Sequence, residues 1–107
     1  MILNNKFDIY LTNTFKKEMS SIIYYLKNTL DEKVIADRFY NNIIKNISSL
    51  SFMPERYSKI NIIHNSIRNL RKMPINHYVV IYEVNNATRQ VFILHIFHCN
   101  QNYLNKL

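Results

Sequence analysis

The sequence predicts a small α+β domain, in which a two-helix antiparallel hairpin packs on one face of a small, mainly antiparallel β-sheet in the order β-α-α-β-β-β. Two observations predict this class. Apolar residues recur every three or four positions in the first half of the chain, and the period shortens to two after Pro54. A length of 107 residues with 48% hydrophobic residues suits one domain, spanning residues 1–107, with its own core.

The first strand is predicted at residues 7–11, where apolar and polar residues alternate. Thr12, Asn13 and Thr14 follow it, and their side chains can cap a helix. The apolar stripe of that first helix reads Phe15, Met19, Ile22, Ile23, Leu26 and Leu30. Spacing by three and four predicts a helix with one buried face.

A second helix is predicted to begin at Asp31, because aspartate is a good N-cap residue. Its apolar stripe reads Ile35, Phe39, Ile43, Ile47 and Leu50. Pro54 disfavours helix at the residue before it and therefore ends this helix. The turn between the two helices is short, which predicts an antiparallel hairpin.

The remainder of the chain is predicted to form strands. Residues 57–64 and 67–73 are candidate strands, and Pro74 interrupts the second of them, as suits a sheet edge or a bulge. Residues 78–84 and 91–98 are rich in aromatic and β-branched residues. Both are apolar on two faces, so both are expected in the centre of the sheet, with helices covering at least one side.

Glycine is absent from the chain. Backbone positions that need a positive φ are therefore expected to hold asparagine, the next most tolerant residue. Asn85-Asn86, between two apolar runs, predicts the turn of a β-hairpin.

The chain is basic, and its charge is uneven. The formal net charge is +7; residues 1–53 contribute +2, and residues 54–107 contribute +5. Such a bias suits an anionic partner such as nucleic acid, a ribosome or an acidic protein, although a solvated basic surface would give the same composition. The longest apolar runs are too short to span a membrane, and the N-terminus does not resemble a signal peptide.

Cys99 is the single cysteine, so an internal disulfide is excluded and a reducing, cytoplasmic location is expected. His95 and His98 are placed on opposite faces of the last predicted strand. Their spacing to Cys99 matches no structural zinc pattern. We therefore predict neither a metal site nor a cofactor.

Three stretches of the chain resemble the RelE/ParE toxin superfamily. Residues 36–54 are similar to its A-x-x-F … I … L … P run. Residues 70–84 resemble a family strand that contains an arginine, followed by N-Y and a hydrophobic run that ends in Y-x-V. Residues 91–98 are similar to the last strand of ParE-like members, which is followed by a polar tail. The resemblance spans roughly residues 6–103.

The resemblance implies the toxin of a type II toxin–antitoxin pair. In this superfamily, RelE-like members cleave mRNA on the ribosome, and ParE-like members inhibit DNA gyrase. RelE-like members usually place one arginine after the aromatic residue of the penultimate strand and another after the last strand. Here Val79 follows Tyr78, and Asn100 and Gln101 follow the last strand. Because none of these residues carries the charge that stabilises a phosphate, the resemblance favours the ParE-like, non-enzymatic branch.

Candidate residues for binding a target or an antitoxin lie in the basic cluster and near the C-terminal end. They are Arg68, Arg71, Lys72, His98, Asn100, Gln101 and Tyr103. In an RNase, Arg71, His98 and Tyr103 would be the catalytic residues, supplying a cation, an acid or base, and a ring at the scissile phosphate. Each candidate also has a purely structural interpretation. The basic residues would form a solvated sheet edge, the His98 ring would bond to backbone, and Tyr103 would pack over the sheet edge.

Three functions stay open on the sequence. The favoured one is a ParE-like toxin that binds DNA gyrase and is neutralised by a cognate antitoxin, whose C-terminal segment docks in an exposed apolar groove as a helix or an added strand. The second is a RelE-like, ribosome-dependent endonuclease acting on mRNA. The third is an antitoxin-binding module that is not toxic.

Overall fold

The computed structural model describes residues 6–61, 68–101 and 107, and four strands in these ranges form one sheet. The strands are β1 (Asp8–Leu11), β2 (Leu70–Ile75), β3 (Tyr78–Asn85) and β4 (Gln90–His98). Their order is β1-β4-β3-β2, with β1 parallel to β4 and the other two pairs antiparallel. The predicted fold class is confirmed, including two adjacent central strands at the C-terminal end.

Two helices follow β1 and cover one face of the sheet. α1 spans Asn13–Tyr24 and continues into a π-helical turn at Tyr25–Thr29, and α2 spans Lys33–Ser48. The predicted cap is confirmed, because the Thr12 hydroxyl accepts a hydrogen bond from the Phe15 N–H at 3.2 Å.

The prediction that Asp31 caps α2 is wrong. Asp31 has a φ of 53°, which is the left-handed conformation that commonly ends a helix. The N–H of Glu32 accordingly donates back to the Leu26 carbonyl at 2.8 Å. Asp31 therefore ends the first helical segment, and α2 begins after Glu32 without a side-chain cap.

The larger core lies between the helices and the sheet. Its buried members include Phe15 and Met19 from α1, Ile43 and Ile47 from α2, and Tyr82 from β3. Three residues of the predicted apolar stripes, Leu26, Leu30 and Ile35, are not part of it. Leu30 and Ile35 are exposed, and Ala36 is buried in place of Ile35. Phe39 packs on Tyr78, which is the first residue of β3. Ile35 lies one turn earlier in α2 and therefore has no strand beneath it.

The opposite face of the sheet carries a smaller core. Ile60, Leu70, Val79, Ile81 and Phe97 are buried there, with Leu94 and Leu107 packed against them. Both central strands are thus apolar on two faces, as predicted. In the described part of the chain, this second face is covered by an irregular segment and the C-terminal residue rather than by a helix.

Short 3₁₀ turns at Ser49–Ser51 and Pro54–Arg56 follow α2, so the helix ends before Pro54 as predicted. The strand predicted at residues 57–64 is wrong over its described part. There Lys59 makes a single bridge to Arg71, and residues 62–64 lie outside the described ranges.

β2 begins at Leu70, whereas the candidate strand began at residue 67, which lies outside the described ranges. Pro74 does not interrupt β2, which continues to Ile75. An edge strand tolerates proline because the missing N–H can face away from the neighbouring strand.

Asparagine does not fill most of the positive-φ positions. Among the described residues these are Asp31, Met53, Asn76 and Arg89. The β3–β4 connection is also longer than the predicted Asn85-Asn86 turn, because β3 includes Asn85 and β4 starts only at Gln90. No helix within the described ranges is long and apolar enough to cross a membrane.

Candidate functional site

An apolar groove separates the two helices. Its volume is about 720 Å³, and its apolar lining consists of Leu11, Phe15, Met19, Ile23, Tyr24, Ala36, Tyr40 and Ile44. Tyr24 and Tyr40 stand at its opening, 67% and 48% exposed. Lys16 and Lys27 also line the groove, and Lys27 lies 3.8 Å from the Asp37 carboxylate. The groove is an open apolar surface with cations beside it, which suits an amphipathic segment of another protein.

His98 ends β4 and lies opposite Tyr78, with the two rings edge to face at 5.3 Å. Its Nδ1 accepts a hydrogen bond from the Asn100 N–H at 3.2 Å, so the neutral ring carries its hydrogen on Nε2. The His98 N–H donates to the Gln101 side-chain oxygen at 2.9 Å. The structure therefore brings together His98, Asn100 and Gln101, with Nε2 of His98 directed away from the turn contact.

His95 lies on the other face from His98, as predicted, and it makes a contact that the sequence did not reveal. A bulge in β4 leaves Leu94 without a partner, because Ile81 pairs with His95 and Tyr82 pairs with Ile93. The Glu18 carboxylate on α1 receives the Ile96 N–H at 3.1 Å and lies 3.2 Å from Nδ1 of His95. Glu18 thus fastens α1 to the bulge. A bulge has no sequence signature here, so this pair could not be predicted.

Two of the three residues in the basic cluster, Arg68 just before β2 and Arg71 on β2, bind partners within the chain. Arg68 forms two hydrogen bonds to the Glu83 carboxylate, at 2.9 and 3.1 Å, and this pairing raises the pKa of Arg68. The Arg71 guanidinium binds the Asn69 side chain, the Glu55 carboxylate, and two backbone carbonyls. Lys72 follows Arg71 on β2 and is exposed.

Glu55 is the centre of the network around Arg71. The Asn69 amide donates to its carboxylate at 2.7 Å, and Asn86 and Arg71 also contact it. The Asn69 hydrogen bond, followed by those other contacts, lowers the pKa of Glu55 despite the opposing effect of burial. Beside this network the buried Tyr82 hydroxyl donates to the Pro54 carbonyl at 2.6 Å, and burial raises the pKa of Tyr82 to about 12.

Arg71 and His98 lie at opposite ends of the sheet. Arg71 pairs with Tyr82, and His98 pairs with Tyr78 on the same strand. Four residues of strand correspond to about 13 Å, and Arg71 and His98 are in addition on different strands either side of β3. The structure therefore does not bring these two candidates together. Tyr103 lies outside the described residues.

A metal site finds no support in the described ranges, where no three His, Cys, Asp or Glu side chains are close enough to hold an ion. Cys99 is an exposed free thiol.

Comparison with known proteins places the chain in a family. The model of the ParE toxin of the type II toxin–antitoxin system parDE matches residues 9–103. The chain belongs to the ParE toxin family. A comparison with curated protein sequences gave no match.

Two solved structures share the fold of this ParE-family chain. One, described as the chromosomal ParDE toxin–antitoxin system from P. aeruginosa, has a TM-score of 0.69 and 11% identity and covers 88% of this chain and 97% of that one. The other, the toxin–antitoxin complex RelBE2 from Mycobacterium tuberculosis, has a TM-score of 0.53 and 13% identity and covers 87% and 91%. At these identities the similarity establishes the fold shared by ParE and RelE toxins.

In this ParE-family chain, Val79 occupies the position where RelE-like members usually place an arginine, and its side chain is buried on the face away from the helices. Arg38, a cation that is not among the residues predicted from the sequence, lies at the same end of the sheet. Arg38 on α2 lines a second cavity, of about 530 Å³, together with Asn76, His77 and Tyr78. Helical spacing alone could not assign Arg38 to this end, because its place depends on how α2 crosses β3.

Proposed function

We propose that this chain is a toxin that inhibits DNA gyrase by binding it and is neutralised by a cognate antitoxin that occupies the groove between α1 and α2. The observation that carries the proposal is the separation of Arg71 from His98. A phosphoryl-transfer site needs its cation and its acid or base at one phosphate, within hydrogen-bond reach. Here the Arg71 guanidinium holds a loop at one end of the sheet, and His98 lies at the other.

The groove indicates the chemistry of the antitoxin. Its apolar floor runs beside α1, a helix of 12 residues, so an amphipathic helix of about three turns would fit along it. Lys16 beside the floor favours an acidic residue on the flank of that helix, whereas the charge of Lys27 is offset by Asp37 at 3.8 Å. Such a segment is disordered when free and folds on binding.

Gyrase inhibition is tested with purified protein and relaxed plasmid. We expect supercoiling by DNA gyrase to fall as the chain is added and to recover when a candidate antitoxin, taken from the reading frame next to this gene, is added in equal amount. Gyrase that supercoils at the normal rate in an excess of folded protein would refute the inhibition.

The groove is tested separately by calorimetry with the same neighbouring protein. The variant Tyr24→Ser/Tyr40→Ser removes two exposed rings at the opening, and we expect its dissociation constant to rise at least about tenfold, since interface aromatics commonly dominate binding energy. Tyr10→Ser is the matched control, because Tyr10 is an exposed tyrosine outside the groove. Equal losses in both variants would count against the groove.

A second candidate function, ribosome-dependent mRNA cleavage, is favoured by one observation. Arg38 lies beside His77 and Tyr78, and the His77 and His98 rings are parallel with centroids 6.4 Å apart. A cation and imidazole groups therefore share one end of the sheet. Codon-phased cuts in cellular mRNA after induction, lost in both Arg38→Ala and His98→Gln, would establish this activity in place of gyrase inhibition. Normal growth after induction, with antitoxin binding intact, would instead indicate a non-toxic binding module.

A further inference from the structure

Two large apolar side chains are displayed to solvent in the link between the 3₁₀ turns that follow α2. Phe52 is 57% exposed, and Met53, at 76%, is the most exposed of the large hydrophobic residues in the described ranges. We name this pair the Phe52–Met53 knuckle. Neither residue lines the groove between the helices.

The backbone of the knuckle is in a conformation that its residues disfavour. Met53 has φ 51° and ψ 56°, in the left-handed region, where a β-carbon is crowded by the following carbonyl. The proline that follows restricts it further. The other left-handed residues described are Asp31, Asn76 and Arg89, all polar, so Met53 is the one large apolar residue among them.

The conformation is held from both sides. The Arg56 guanidinium donates to the carbonyls of Ser49, Phe52 and Met53 at 2.9–3.3 Å and to the Ser49 hydroxyl at 2.6 Å. On the other side, the Pro54 carbonyl accepts the buried Tyr82 hydroxyl. The knuckle is therefore presented on a fixed backbone rather than on a loose loop.

A tight turn alone does not explain methionine at this position. Asparagine tolerates the left-handed region much better, and the chain uses asparagine freely elsewhere. Nor does packing explain it, since the side chain lies in solvent. Strained backbone that is fixed by its surroundings is concentrated at binding sites, and aromatic residues, Met and Arg are enriched in protein interfaces.

We infer that the Phe52–Met53 knuckle inserts into an apolar pocket with an acidic rim on the protein that this toxin inhibits. The acidic rim follows from Arg56. Its hydrogen-bond acceptors beside the knuckle are three carbonyls and a hydroxyl, so none of these partners cancels its positive charge, which favours acidic groups on the partner. The inference rests on the proposed function, because the pocket belongs to the toxin's target. It also separates the target contact from the groove assigned to the antitoxin.

The test uses the double variant Phe52→Ser/Met53→Asn, in which asparagine retains the left-handed backbone. We expect the concentration that half-inhibits purified DNA gyrase to rise at least tenfold, with an unfolding midpoint that is not lowered. Val34→Ser, which removes an exposed apolar side chain in the first turn of α2, is the control and stays within twofold of the wild type. Met53→Leu, which keeps an apolar side chain, is expected to retain inhibition. If the double variant does not fold, the half-inhibiting concentration of the single variant Phe52→Ser tests the inference.

Inhibition by the double variant within twofold of the wild type would overturn the inference. If wild-type protein leaves gyrase unaffected, the proposed function fails, and growth arrest on expression becomes the measurement. Arrest that is relieved by the double variant but not by Val34→Ser supports the knuckle as a target contact, and arrest that persists overturns it. Binding of single-stranded RNA by the wild type, lost in the double variant, would overturn the protein pocket in favour of RNA.

Discussion

The two ends of the sheet differ in how their polar side chains are used. At the Arg71 end, Glu55, Asn69 and Arg71 bond to one another and to backbone carbonyls, and Tyr82 reaches Pro54 from the core. At the His98 end, the polar groups of the described residues make few side-chain hydrogen bonds, chiefly within their own turn. The arginine and glutamate side chains at the Arg71 end therefore stabilise the fold, whereas the His98 end keeps polar groups, such as Nε2 of His98, that can bind a partner.

The reason for this asymmetry lies in the segment between α2 and β2. The described part of that segment, residues 49–61 and 68–69, forms almost no strand, so its backbone groups need side-chain partners. The Arg71 guanidinium supplies donors to the carbonyls of Glu55 and Tyr57. At the other end, Tyr78 and His98 are already paired in the β3–β4 ladder.

The largest effect is expected for Arg71→Ala. The substitution removes the Arg71 donor from two backbone carbonyls and the cationic partner from the Glu55 carboxylate, which keeps Asn69 and Asn86, and we expect the free energy of unfolding to fall by about 3 kcal/mol. Lys72→Ala is the matched control on the same strand and should change it by less than about 0.5 kcal/mol. Urea denaturation measures both. Similar losses of unfolding free energy for the two variants would contradict the stabilising role of Arg71.

A smaller loss, about 1.5 kcal/mol, is expected for Tyr82→Phe at neutral pH, because the Pro54 carbonyl loses its buried donor. Burial also raises the pKa of Tyr82 from its usual 10 to about 12. The protonated hydroxyl is favoured in the folded state, so this contribution is full below pH 10 and is lost as the pH rises through about 12. The wild type should therefore lose its advantage over Tyr82→Phe across that range; a constant difference would contradict the assignment.

Glu55→Gln is expected to cost less, about 0.5–1 kcal/mol, because its ion pair with Arg71 is partly exposed. The pKa of Glu55 is lowered in the folded protein, first by the Asn69 hydrogen bond. Its contribution is therefore full above the usual pKa of 4.5 and is lost as the pH falls through the lower folded value. Acid titrations of unfolding for the two proteins should converge below pH 4.5, and curves that stay parallel would argue against this role.

The smallest effect on stability, less than about 0.5 kcal/mol, is expected for His98→Gln, whose ring makes one hydrogen bond within an exposed turn. If the His98 end contacts the target, the same variant should raise the concentration needed for half-inhibition of gyrase severalfold. Thermal unfolding and supercoiling assays on one preparation measure the change in stability and the change in inhibition. A variant that loses stability without losing inhibition would reverse the contrast between the ends.

The regular parts of the fold could be predicted, because period and composition act locally. The alternation in β1 and the apolar stripes of the helices gave the elements, and Thr12 gave the first cap. The left-handed residues Asp31 and Met53 could not be predicted, since they depend on how α2 is placed on the sheet.

The candidate site was predicted less completely for a similar reason. Sequence identifies Arg68 and Arg71 as cations but does not show that Glu83 and Glu55 will bind them, because those partners lie more than ten residues away in the chain. The groove depends on the separation of two helices, which no local pattern encodes. The bulge that Glu18 fastens also arises only when β4 meets β3.

The parallel pairing of β1 with β4 has a consequence for synthesis. Thr12 and Ile93, which join the two strands by a hydrogen bond, are 81 positions apart, so β1 has no partner until nearly the whole chain exists. Contacts this distant in sequence form slowly. A newly made molecule therefore passes through an interval in which β1 is not yet paired. In pulse-labelled hydrogen exchange during refolding, the Thr12 amide should gain protection only in the last phase; early protection would remove that interval.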